Sequence, residues 1–455
     1  MSKSVCFVLM PFGVKLDASG RSIDFNCIYD TIFKPAVSAT GLQPVRADEE
    51  QAQGFIHKLM YERLLLSEYA IADLTILNAN VYYELGVRHV ARPSTTIMTM
   101  AGQTGLPFDV AGLRALPYSL NAAGAPVDAA GASAALVEQL KSCIARELVD
   151  SPIYQLVEGM RPPPIDRNRT DVFRERVAHF EEIKNRLADA RAGNKIELIE
   201  AVEESLGSVS ALEPNVAIDL LLSYRSVGAF EKMLQVVKGM DRTLSQTSMV
   251  RQLLAFAQNR LGQSQEAEEN FKQVIATQGP SSEVNGLLGR VYKDRWKQAK
   301  AAGDVFLAKA FLRQAIQTYL EGFESDWRDP YPGVNALTLM EIADDPRRQA
   351  LFPAVRYSVE RRLARKGTPD YWDYATRLEL AILAGEADAS AEAIGDALFA
   401  RPSLWQLEST VENLGLIADA RAARNSGGKE ASIAVDEFTK RIKSLKAAAS
   451  PVRGN

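Results

Sequence analysis

The stretch YAIADLTILNANVYYELGVRH, residues 69–89, holds the turn from strand to helix on which the fold depends. Its first seven residues, 69–75, form an apolar β-type run that closes on Ala72-Asp73-Leu74-Thr75. A short loop containing Asn78 follows, and the spacing predicts a helix over 80–92. Asp73 is therefore expected at the carboxyl end of a strand, where open parallel sheets bind their ligands. Asn80 suits a helix N-cap, and Glu84 lies one turn further on, on the face shared with Asn80 and Arg88.

The same grammar extends outward to about residue 150. Strands are expected at 5–10, 43–48, 95–100 and 115–119 as well as 69–75, with helices at 25–39, 54–67 and 133–148 besides 80–92. Short apolar runs alternating with amphipathic segments are the mark of βαβ units, so this part reads as an α/β domain around a five-stranded parallel sheet.

Beyond Arg161-Pro162-Pro163-Pro164, a stiff extended stretch, β-type alternation gives way to long helical periodicity. Leu220, Leu254 and Leu288 recur at a spacing of 34, as do Leu221, Ala255 and Gly289, and Gly228 and Gly262. A 34-residue helix–turn–helix period with small residues at close approaches is the tetratricopeptide pattern. The middle copy is the clearest, with Ala267, Phe271 and Pro280 in register; Ala315, Tyr319 and Pro330, then Trp372, Gly385 and Pro402, mark looser copies. The expected fold class is thus α/β followed by all-α. The expected division is an α/β domain over 1–150, a Pro-rich linker over 151–165, a helical-repeat superhelix over 166–445 and a flexible tail over 446–455.

Composition excludes several classes of function. Of 455 residues, 47% are hydrophobic and 24% charged, and the net charge of −4 lacks the broad basic surface of a nucleic-acid reader. Cys6, Cys27 and Cys143 show no CxxC spacing, which speaks against a zinc knuckle and fits a reducing compartment. No run approaches the roughly 18 apolar residues of a membrane span, and the apolar start at 5–10 is too short for a signal peptide. A cytoplasmic protein without membrane contact is expected. His57, His89 and His179 form no metal set, and no GxGxxG, P-loop, HExxH, GxSxG or kinase signature occurs, so neither cofactor nor metal is expected.

Two carboxylates with different surroundings can divide the work at a reacting carbon, one attacking or stabilising it and one orienting a polar ring. Glu84 and Asp73 are the candidates. Their plain alternative is an exposed Glu84–Arg88 pair on a capped helix and an aspartate that closes a loop. Arg46 and Asp48 stand near another strand end, and the loop Pro11-Phe12-Gly13 can approach a ligand closely through its glycine.

Taken together, residues 8–13 (VLMPFG), Phe25 with Ile28-Tyr29 and Lys34-Pro35-Ala36, residues 46–49 (RADE), the ADLT and NANVYYELGVRH strings, and Pro107-Phe108-Asp109 resemble the nucleoside 2-deoxyribosyltransferase-like or deoxyribohydrolase-like domains, flavodoxin-like relatives of the TIR fold. That resemblance covers about residues 4–120. The remainder, including residues 329–336 (DPYPGVNA), resembles the tetratricopeptide-containing TRAF-binding region of apoptosis signal-regulating kinases and bacterial homologues over roughly 165–400. Their kinase domain has no counterpart in these residues. The resemblance implies cleavage of an N-glycosidic bond in a nucleoside or nucleotide, NAD included, by two-carboxylate logic. Glu84 would be the nucleophile or oxocarbenium stabiliser and Asp73 would hold or protonate the base. Asn78 and Asn80 would bind sugar hydroxyls or preserve the loop, Pro11, Phe12 and Gly13 would flank the base, and Arg46, Asp48 and Tyr83 would line the pocket.

The expected function is a nucleotide-cleaving effector, gated through helical repeats that hold a protein or peptide and possessing the option of homo-oligomerisation. The alternative is a non-enzymatic scaffold that senses a nucleotide and assembles a protein complex.

Overall fold

The computed structural model describes residues 3–46, 56–102, 115–145, 149–365, 369–425 and 427–449. The chain forms two compact units, Met1–Val250 and Arg251–Asn455.

The first unit is built on five parallel strands. β1 (Val5–Leu9), β4 (Gln43–Arg46), β5 (Tyr69–Asp73), β6 (Thr96–Ala101) and β7 (Ala115–Tyr118) pair in the order β4-β1-β5-β6-β7. Numbered among themselves they run 2-1-3-4-5, the doubly wound order whose ligand crevice lies between the first and third strands. Here that places the switch point between the carboxyl ends of β1 and β5. Every residue of β1 is buried, as expected for a strand covered on both faces. Successive side chains alternate faces: Cys6 and Val8 pack with Ile28, Phe33, Val37, Leu136 and Leu140, whereas Val5, Phe7 and Leu9 pack with Leu64, Val81 and Leu85.

Between β1 and β4, β2 (Val14–Leu16) and β3 (Ser22–Asp24) make a separate antiparallel hairpin. Little in the sequence announces it, because each strand is three residues long and β2 is fully exposed. The expected helix at 25–39 is present as two α-helical pieces, Phe25–Ile28 and Lys34–Ala39, joined by a π-helical turn over Tyr29–Phe33. The widened turn ends two residues before Pro35, whose ring nitrogen has no hydrogen to donate back into the helix. Helices Ile56–Leu66, Ala79–Ala91 and Ala129–Ala145 complete the layers around the sheet.

The helix after β5 starts earlier than the spacing predicts. Asn78, not Asn80, is its N-cap: the Asn78 backbone is extended and its carboxamide oxygen accepts from the amides of Asn80 and Val81 at 3.0 and 3.3 Å. Either asparagine has the chemistry of a cap, and the chain enters the first turn at Ala79.

Residues 161–164 lie exposed outside regular structure, and a short helix, Pro152–Leu156, precedes them. The long helix Arg167–Ala192 then returns to the sheet, where Phe173 and Val177 join the core of Phe7 and Leu85.

The 34-residue period is visible in the helix boundaries. The first helices of three successive pairs are Pro214–Ser226, Ser248–Arg260 and Ser282–Ala301, each starting 34 residues after the last. Gly228 and Gly262 turn the first two pairs with φ of +71° and +78°, a region that favours glycine. In the third pair the turn moves to Gly303, and both helices are longer, the second being Val305–Ser325. Gly289 keeps this pair close, since a Cβ there would sit 2.8 Å from the Tyr319 ring. Three further pairs follow, from Pro330–Ala343 with Arg348–Arg365 to Leu404–Ala423 with Lys429–Ala449. Among the described residues no helix is long and apolar enough to cross a membrane.

Candidate functional site

Three groups of predicted residues sit at the carboxyl end of the sheet. The loop after β1 is tied to the following helix: the Gly13 amide donates to Asn26 Oδ1 at 3.1 Å, and the Phe25 amide donates to the Gly13 carbonyl at 3.1 Å. Gly13 takes a φ of +66°, which lets the loop turn, and Phe12 is left half exposed while Pro11 is buried. Arg46, at the end of β4, joins this group. Its guanidinium lies 4.3 Å from the Tyr29 ring centroid and 3.4 Å from the Phe25 carbonyl, and its backbone carbonyl accepts from Arg63. Asp48 lies outside the described residues.

The second group surrounds Asp73. This carboxylate is fully buried; Tyr118 donates to Oδ2 at 2.6 Å and the Thr75 amide donates to Oδ1 at 2.8 Å. Burial pushes its pKa up, and the Thr75 side chain, Tyr118 and the Thr75 amide pull it back. The nearby Tyr82 hydroxyl is buried without a hydrogen-bond partner among the described residues and feels the Asp73 charge. Asp73 thus joins the ends of β5 and β7; burial and the Asp73 charge push the Tyr118 hydroxyl strongly upward, so it keeps its proton and serves as a hydrogen-bond donor.

Glu84 forms the third. It is 8% exposed, on the core side of its helix, and among the described residues its carboxylate has no hydrogen-bond or ion-pair partner. Burial alone raises it to about 7. A carboxyl poised there carries a proton near neutral pH and can act as a general acid or base.

The exposed Glu84–Arg88 pair is not formed. Arg88 is fully buried and donates to the carbonyls of Leu64, Ser67 and Glu68 and to the hydroxyls of Thr95 and Thr96. The i,i+4 spacing suggested a pair; the carbonyls at the end of the preceding helix, remote in sequence, outcompete Glu84. Tyr83 is 55% exposed and its hydroxyl meets that of Tyr61 at 2.7 Å, so it faces away from the sheet. Asn80 is exposed in the first turn, and the Asn78 oxygen is occupied in capping.

The second unit carries a groove of about 360 Å³. Tyr331 and Asn335 of the 330–343 helix, with Asp329 as its N-cap, line it together with Trp372, Trp405 and Asn413. This gives the DPYPGVNA string a place in the structure. Arg362 donates to Asp373 at 2.7 Å, and Arg290 Nε holds Asp294 at 2.9 Å. Beneath, fully buried Lys293 donates to Asn413 at 2.8 Å and Asn335 at 3.4 Å. Burial pulls this lysine down to about 8. Sequence reasoning passed over Lys293; its signal was a lysine on a helix face otherwise made of Gly289, Tyr292 and Trp296. Among the described residues no cluster of three or more metal-ligating side chains occurs.

The sequence of residues 81–438 matches the model of the MAP3K TRAFs-binding domain. The chain belongs to that family. The matched stretch starts inside the α/β layer, so it takes in the Glu84 helix, β6 and β7 together with the paired helices. Among relatives, the chain is 26% identical over 244 residues to mitogen-activated protein kinase kinase kinase nsy-1 of Caenorhabditis elegans, covering 49% of this chain and 16% of the relative. It is 26% identical over 225 residues to mitogen-activated protein kinase kinase kinase 15 of Mus musculus, covering 47% and 16%. The aligned part is therefore under a fifth of each relative's length. Solved structures that resemble it include a thermophilic TPR protein of Thermus thermophilus, at TM-score 0.35 and 18% identity over 44% of this chain and 99% of that one. Another is human IFIT1 with bound PPP-AAAA, at TM-score 0.37 and 14% identity over 62% and 69%.

Proposed function

We propose that this protein is an interaction scaffold: its helical repeats hold a protein partner, and its α/β domain senses a nucleoside, nucleotide or NAD. The family match over residues 81–438 carries this reading, because the family is named for binding a class of proteins. Stacked helical pairs supply the extended surfaces such binding needs. We take the working division as 1–150 for a flavodoxin-like sensor, 151–165 as linker, 166–445 as a tetratricopeptide superhelix and 446–455 as tail, acting in the cytoplasm with homo-oligomerisation as an option.

The test has two arms. In-cell crosslinking of the full chain should recover one protein in near-stoichiometric amount, and a panel of nucleosides, nucleotides and NAD should contain a member that raises the melting temperature without releasing free base. Absence of both a stoichiometric partner and a stabilising nucleotide refutes the scaffold.

A second reading, N-glycosidic hydrolysis, is favoured by one observation: Glu84 is a buried carboxyl without a partner among the described residues, raised to about 7. Such a group costs stability and is the type that active sites retain. Chromatographic detection of free base from the same panel, abolished by Glu84→Gln, would establish hydrolysis in place of sensing.

A further inference from the structure

The groove of the second unit combines exposed aromatic surface with spare cationic hydrogen-bond donors. Tyr331, Trp372 and Trp405 are 47%, 38% and 60% exposed, and the two tryptophan rings are 5.4 Å apart, tilted by 47°. Exposed aromatics gathered at one place mark a binding surface more often than solvent-facing decoration.

The charges on its walls are unevenly satisfied. Asp373 accepts from Arg362 and from the Asp370 amide, while Asp329 caps its helix, accepting from the Tyr331 amide and the Ser282 hydroxyl. Both wall carboxylates are therefore occupied within the fold. Arg290 uses Nε on Asp294, and among the described residues its two terminal nitrogens donate to nothing. Arg260 and Arg362 stand on the same walls. Arg362 is engaged by both wall aspartates, with Asp373 at 2.7 Å and Asp329 at 3.8 Å, whereas the Arg290 guanidinium, held only through Nε by Asp294, has both terminal nitrogens open and suits a carboxylate. The Ser409 hydroxyl in the lining, likewise unbonded among the described residues, is available to a peptide backbone.

A nucleotide fits less well. A base can stack on a single exposed indole, but the 5.4 Å separation and 47° tilt of Trp372 and Trp405 leave no slot that holds one between them. Apolar side chains, proline above all, pack against tilted indoles without that restriction.

We propose that this groove binds an extended acidic peptide segment of a partner protein, seating a carboxylate on Arg290 and a neighbouring proline or aromatic side chain on Trp372 and Trp405. The assignment rests on the scaffold reading and names the surface and partner chemistry it uses.

The test uses the full chain and a library of nine-residue peptides, each with one Asp or Glu beside Pro, Phe or Trp, matched to counterparts carrying Lys instead. Binding is read by fluorescence anisotropy and by the protein's own tryptophan emission, since two of its four tryptophans line the groove. Acidic peptides should bind and weaken with added salt. Arg290→Glu and, separately, Trp405→Ala should each reduce affinity about tenfold or more; Trp405 is exposed, so its variant keeps the native melting temperature. The proposal is overturned if lysine counterparts bind as well as acidic peptides, or if ATP alone occupies the groove in an Arg290-dependent way. It is also overturned if sedimentation shows that the groove is filled by a second copy of the chain, released by Trp405→Glu. Groove variants that still crosslink the parent's partner would leave the scaffold standing and remove the groove from it. Arg290-dependent peptide binding by a chain that crosslinks no partner would do the reverse.

Discussion

Glu84→Gln should make the protein more stable, by an amount that grows from about pH 4.5 and is complete above about pH 7. The Glu84 carboxyl is 8% exposed, has no hydrogen-bond or ion-pair partner among the described residues, and is raised by burial from 4.5 to about 7. Below pH ~4.5 it is protonated in both folded and unfolded chains, and glutamine, of the same shape, should behave alike. As pH rises from there, the unfolded chain releases the proton freely while the folded one holds it, so native stability falls by about 1.4 kcal/mol per pH unit. The loss is complete once pH passes about 7 and amounts to roughly 3 kcal/mol. Glutamine avoids it. Calorimetry of the parent and Glu84→Gln chains should therefore give coincident melting at pH 4.5 and a higher melting temperature for the variant at pH 8.5. For a unit of about 250 residues the gap is on the order of 6–12 °C. Equal offsets at both pH values, or a variant destabilised at pH 8.5, would refute the reasoning, because the carboxylate would then have to be solvated or paired.

Three other perturbations test the surrounding structure. Arg88→Met strips buried carbonyls and hydroxyls of five hydrogen bonds and should cost about 3–5 kcal/mol in urea unfolding; a loss below about 1 kcal/mol would mean that water replaces the guanidinium. Tyr118→Phe takes from Asp73 its 2.6 Å donor and should lower stability at neutral pH by about 1.5–3 kcal/mol, with the Asp73 carboxyl driven further upward when followed by carbon NMR. Gly289→Ala puts a methyl 2.8 Å from the Tyr319 ring and should destabilise the second unit by about 1–3 kcal/mol, since overpacking outweighs the roughly 1 kcal/mol that alanine adds to a helix; a stabilised variant would show that the Tyr319 ring moves aside freely.

Much of the architecture was legible. Every residue of β1 is buried and its side chains divide by parity between two cores, so an unbroken apolar run announced a strand covered on both faces. The repeat was legible because a helix pair must turn at a left-handed residue, and Gly228 and Gly262 mark that turn 34 residues apart. The β2–β3 hairpin was not legible, since three-residue exposed strands leave no periodicity to detect. Of the expected site, spacing put Glu84 on one helix face with Asn80 and Arg88 and left open whether that face met solvent; only the packing shows that Asn80 is exposed while Glu84 is buried. Its supposed partner Arg88 was misread because a charge four residues away on the helix competes with backbone carbonyls that spacing does not display.

Local pattern thus determined most elements of this protein: the strands of the main sheet, the helices and the repeat turns follow from polarity period and from where Pro and Gly fall, all of which act within a few residues. Only the tertiary structure decided the fate of its charges. Asp73 is bonded by Tyr118, 45 residues further on, and Lys293 by Asn413, 120 residues further on, while Glu84 is left with no partner among the described residues. The physical reason is that the free energy of a buried charge is set by desolvation and by donors and acceptors brought from elsewhere in the chain. That energy comes into being when distant elements pack, and with it the groups able to bind or react.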